Sequence, residues 1–83
     1  MSEAMGSDTE RIYIPLLDEG TVVVRPTRGV PLAEGIYRVL ATATYDPEDE
    51  NWEFPPGSIV RCVLELRNGH ELLVARELAT HQP

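Results

Sequence analysis

Cys62 and His70 are the first residues to test for chemistry, because a thiolate nucleophile needs a base within about 3 Å to take its proton. The chain has a single cysteine and two histidines, His70 and His81. The run Ser58-Ile59-Val60-Arg61-Cys62-Val63-Leu64-Glu65-Leu66 alternates like a half-buried strand, and Asn68-Gly69 reads as a hairpin turn just before His70. On such a strand Cys62 and Arg67 stand roughly 17 Å apart, with His70 beside Arg67. The pair cannot share a proton, and Cys62 reads as a small buried side chain. One cysteine forms no internal disulfide, and with two distant histidines it makes no zinc site.

A second candidate is the acidic run Asp46-Pro47-Glu48-Asp49-Glu50, followed by Glu53. Calcium needs six to eight oxygens converging on one point, and its familiar loop adds a glycine and a spaced terminal glutamate. This run lacks that glycine and is kinked by Pro47, so it reads as a solvated loop. A paired-carboxylate hydrolase would need two carboxyls facing across a cleft. Tyr45, Trp52 and Phe54 flank the same run. In an extended segment Trp52 and Phe54 share a face, and both could lid the end of a small barrel. The alternative leaves Trp52 half exposed beside Tyr45 and an acidic rim, a surface for an arginine- or lysine-bearing peptide through cation–π contact. The candidate binding set is Tyr45, Asp46, Glu48, Glu50 and Trp52. No catalytic set, metal site, cofactor, phosphate loop or dinucleotide fingerprint is expected.

These residues need elements to hold them. Arg11 to Leu17 alternates, with Ile12, Ile14 and Leu16 on one face and Tyr13, Pro15 and Leu17 on the other. Pro15 cannot donate to a ladder, which predicts a free edge there. Asp18-Glu19-Gly20 suits a three-residue hairpin loop. With Leu17 facing Thr21, Leu16 pairs with Val22 and Ile14 with Val24, and the strand ends at Arg25. Pro26 to Glu34, with two prolines and a glycine, reads as a connection. Gly35 to Ala41 is a third strand, with Tyr37, Val39 and Ala41 inward, and Thr42 to Gly57 is a long loop. The fourth strand, Ser58 to Leu66, turns Val60, Cys62 and Leu64 inward. A turn at Asn68-Gly69, where φ is positive at both central positions, places Leu64 opposite Leu73 and Cys62 opposite Ala75. Leu72 to Arg76 completes the hairpin, although Glu71 to Ala79 also has high helix propensity. The fold expected is all-β: a small five-stranded, partly open SH3-like barrel of two hairpins plus a middle strand. A sheet with a short C-terminal helix is the alternative. Residues 1–10 read as a disordered arm, 11–79 as one domain and 80–83 as a frayed end.

Eighty-three residues fold as one domain, burying only roughly 60–65% of the surface exposed when unfolded. Seven basic residues, all arginine, stand against fourteen acidic ones, a formal net charge of −7. That field disfavours nucleic acid and anionic membrane and leaves a basic protein or peptide surface as the better partner, although net charge serves solubility in any case. Met1 to Glu10 lacks the basic start and apolar stretch of a signal peptide, and no apolar run approaches the roughly 20 residues of a membrane helix. A cytoplasmic location is expected by default.

The blocks Leu16-Leu17-Asp18-Glu19-Gly20-Thr21-Val22-Val23-Val24-Arg25-Pro26, Tyr37-Arg38-Val39-Leu40 and Tyr45-Asp46-Pro47-Glu48-Asp49-Glu50-Asn51-Trp52-Glu53-Phe54-Pro55-Pro56-Gly57-Ser58, with Val60, Cys62 and Leu73-Val74-Ala75, span nearly all of the expected domain. In combination they resemble a family of short uncharacterised bacterial proteins with an SH3-like small barrel. An aromatic, usually tryptophan, tends to precede the family's Arg-Pro, whereas Val24 stands there in this chain. That departure weakens the idea of an aromatic patch built jointly by residues 24 and 52. The resemblance implies no activity and lends no functional residues. The expectation is a non-enzymatic protein-binding module using the acidic, aromatic loop. A structural homo-oligomer, such as a homodimer formed by edge-strand pairing, is the alternative.

Overall fold

The computed structural model describes residues 8–17 and 23–79. Five strands follow in order: β1 Glu10–Pro15, β2 Val24–Ala33, β3 Ile36–Val39, β4 Ile59–Arg67 and β5 His70–Leu78. No helix occurs among the described residues, so the C-terminal segment is strand and the helical alternative falls away. Each strand is antiparallel to the one before. In such an odd-numbered meander the first and last strands run the same way, so β1 can meet β5 only in parallel. It does so at Tyr13 opposite Val74, which closes the barrel that the sequence suggested would stay partly open.

The β4–β5 hairpin has the expected register. Arg67 faces His70, Leu64 faces Leu73 and Cys62 faces Ala75, up to a bulge at Arg61/Cys62. Asn68 and Gly69 hold φ of 52° and 82°, the left-handed pair that this turn requires.

The β1–β2 hairpin differs from expectation by one residue. Ile14 faces Arg25 and Pro15 faces Val24, and β2 runs on to Ala33 through Pro26 and Pro31. The expected Leu17–Thr21 and Leu16–Val22 pairs and the Asp18-Glu19-Gly20 turn involve residues outside those described. A slip of one exchanges the faces of a strand. Hence the inward set of β2 is not the valines but Thr27 and Gly29, both buried, facing Ile12 and Glu10. The prolines are tolerated because of the alternation of antiparallel bonding. Leu16 N–H donates to the Val23 carbonyl, which fixes Pro15 and Pro26 at positions whose nitrogens point away from the β1–β2 ladder. Leu40 N–H donates to the Arg28 carbonyl, which turns Pro31 away from β3 in the same manner. Gly29 is needed on the inward face: a Cβ there would sit 2.8 Å from Ile12 Cδ1 and 3.1 Å from Tyr37 Cβ.

The core joins Ile12, Ile14, Tyr37, Val39, Val60, Cys62 and Ala75 with Trp52 and Phe54 from the long loop. Two residues expected inside are not there. Ala41 is exposed, because β3 ends at Val39 and the chain leaves the sheet. Leu64 has the inward phase of Cys62, yet it is 65% exposed. Beyond Cys62, whose N–H donates to the Gly35 carbonyl, β4 has outrun β3, and among the described residues no strand stands opposite.

Candidate functional site

The long loop is built from turns that its own side chains enforce. Asp46 accepts from Glu48 N–H through Oδ1 at 2.9 Å, and its carbonyl accepts from the N–H groups of Asp49 and Glu50, also at 2.9 Å. An aspartate followed by proline favours such a turn, since its short side chain bonds the backbone two residues on. The segment then runs extended alongside the end of β1. Trp52 forms an antiparallel bridge with Leu16, flanked by Leu17 N–H to Asn51 O at 2.7 Å and Glu53 N–H to Pro15 O at 2.9 Å. Pro55-Pro56-Gly57 turns it into β4, with Gly57 at φ 95° and its N–H on the Val39 carbonyl.

Extended backbone puts Trp52 and Phe54 on one face, as the sequence indicated, and that face is the barrel interior. Trp52 is 4% exposed and Phe54 6%. The half-exposed tryptophan required by a stacking surface is therefore replaced by a lid. The Trp52 Nε1–H donates to Glu50 Oε1 at 2.8 Å, and Arg25 Nε donates to the same oxygen at 3.0 Å. Tyr45 packs edge-on against the indole with ring centroids 4.7 Å apart.

The five candidate residues thus divide into two groups. Glu50 and Trp52 belong to the seal of the barrel. Tyr45 is half-buried at its rim, and Asp46 and Glu48 project into solvent beside Asp49. Arg25, which secures Glu50, carries no sequence signal for that role, because its partner is 25 residues away. What the loop presents outward is one tyrosine edge and three exposed carboxylates on a backbone tied to β1.

Cys62 is a free, buried thiol pushed up to about 11 by burial, and His70 is exposed at the hairpin turn. Among the described residues no group of three or more His, Cys, Asp or Glu side chains converges as a metal site. Nor is any helix there long and apolar enough to cross a membrane. No protein-family model, curated protein or solved structure matches the chain.

Proposed function

We propose that the protein is a non-enzymatic binding module whose Tyr45–Glu53 loop engages a basic segment of another protein. The observation carrying this reading is the outward side of the loop: Asp46, Glu48 and Asp49 exposed beside the rim of Tyr45, on a backbone held by Asp46 and by the Leu16–Trp52 bridge. A preorganised loop loses little conformational freedom on binding. Residues 42–57 carry five carboxylates and no basic residue, a local field that draws arginine or lysine and speeds encounter. In this reading Trp52 acts from beneath, fixing the position of Tyr45.

The test is fluorescence anisotropy with a labelled arginine- and lysine-rich peptide against the full chain and a triple variant, Asp46→Asn, Glu48→Gln, Asp49→Asn. Asparagine keeps the Asp46 turn acceptor, so the fold is preserved while the charge is removed. Affinity should fall at least about tenfold, or 1.4 kcal/mol, and the salt dependence should flatten. Absence of binding by the parent chain, or equal binding by the variant, would refute the reading.

A further inference from the structure

The β4 edge beyond the barrel is the largest feature that this reading leaves unused. Bonds between β3 and β4 run through the even-numbered residues of β4, as the Cys62–Gly35 and Ser58–Val39 bonds show. The backbone N–H and C=O groups of Leu64 and Leu66 therefore point to the same side, past the end of β3, and have no partner among the described residues. The two residues are 65% and 73% exposed. An open row of donors and acceptors bearing two leucines is a template for another strand.

We infer that the occupant is a second copy of this chain, paired antiparallel across a two-fold axis at Glu65, with Leu64 opposite Leu66 of the second copy. The first argument is charge. Residues 59–78 hold Arg61, Arg67 and Arg76 against Glu65, Glu71 and Glu77 and are formally neutral, although the chain carries −7. Two acidic molecules can meet here with little local repulsion, whereas a basic partner is drawn to the loop instead.

The second argument is self-complementarity. In this register each Leu64 and Leu66 exchanges backbone bonds with its counterpart, and the leucines of both copies form one apolar patch continued by Leu73. On the other face the two Glu65 carboxylates lie opposite each other. Each is already bonded to Arg76 and Arg67 of its own chain, so they are surrounded by guanidinium groups. Arg67 Nε is buried without an acceptor among the described residues, and in the dimer it lies diagonal to Glu65 of the second copy. Such an isologous contact closes on itself and stops at two copies.

Sedimentation equilibrium of the full chain from about 1 μM to about 1 mM spans the affinities expected of so small an interface and should show a reversible dimer. Leu64→Pro removes a donor that the β4–β5 ladder does not use, and Leu66→Thr removes apolar area while supplying a β-branched residue that favours strand. Each should weaken the dimer at least about tenfold while circular dichroism and melting stay those of the parent. Cys62 is buried, so Glu65→Cys adds an accessible thiol at the axis, and mild oxidation should link the two copies. A monomer at every concentration, or a dimer indifferent to both leucine substitutions, overturns the proposal. A dimer that Leu64→Pro disrupts but Glu65→Cys fails to link overturns the register.

Discussion

The two ends of β4 carry the same kind of side chain and treat it in opposite ways. Near Ile59, Val60 is fully buried, and the adjoining loop brings Trp52 and Phe54 over the interior. Toward the Asn68-Gly69 turn, Leu64 and Leu66 keep the phase of Val60 and Cys62 yet face solvent. The difference lies in what stands across from the strand. At one end β1, β3 and the long loop complete an enclosure, and at the other, among the described residues, β5 is the one strand that accompanies β4. Burial is thus a property of the opposing wall rather than of the strand itself. The charges divide similarly, with the enclosed end carrying the acidic loop and the projecting ribbon neutral.

The strongest test of this contrast removes a large apolar group from each end. Trp52→Ala should cost about 3–5 kcal/mol, as for other buried aromatics, enough to unfold much of so small a domain. Leu66→Ala should stay within about 0.5 kcal/mol in the monomer. Urea denaturation at low protein concentration measures both. A costly Leu66→Ala there would mean that the ribbon face is covered within a single chain.

A smaller effect separates the interior from the ribbon by alkaline pH. Burial raises the Cys62 thiol from an ordinary 9.0 to about 11, so the folded state holds its proton after the unfolded chain has released it. Stability from this source is complete below about pH 9 and is lost as pH rises toward 11, by up to about 2 kcal/mol. Melting of Cys62→Ala should lack that part of the alkaline decline, leaving the part from Tyr37, also raised by burial and by its bond to Glu10. The parent thiol should resist alkylation at neutral pH until the domain unfolds.

The unequal legibility of these regions follows from the kind of signal each carries. The β4–β5 register could be read because Asn68-Gly69 permits one tight turn, and a two-residue turn fixes every pair behind it. No comparable signal fixes the β1–β2 register, where the valines made an equally regular pattern one residue out of step. The prolines that suggested a connection are compatible with β2 because their nitrogens fall on sides without a partner, a fact of neighbouring strands rather than of local sequence. Trp52 was legible as an anchor but not as core or surface, since its burial depends on a bridge to Leu16 from far along the chain. Leu64 was misplaced because periodicity reports the face of a strand and not whether anything covers it.

The gentlest test lies on the ribbon, in acid. Glu65 is lowered from its ordinary value by hydrogen bonding from Arg76, with further help from the charges of Arg76 and Arg67, while desolvation opposes them. A lowered carboxylate favours the folded state above its unfolded pKa of about 4.3, and that contribution disappears as pH falls through the lower folded value. Glu65→Gln should therefore melt slightly below the parent at pH 7 and converge with it in acid, once Glu65 is protonated in the folded state. The change should be small, because solvent screens a pair on so exposed a ribbon. Its location gives it value: Glu65 joins β4 to Arg76 on β5, past the last β3 pair of β4 among the described residues. Amide protection factors at Val63, Glu65 and Arg67, the ladder residues of the ribbon, should fall on acidification before those at Ile12 and Val60 do. Simultaneous loss of protection at both ends would show that ribbon and barrel open as one unit.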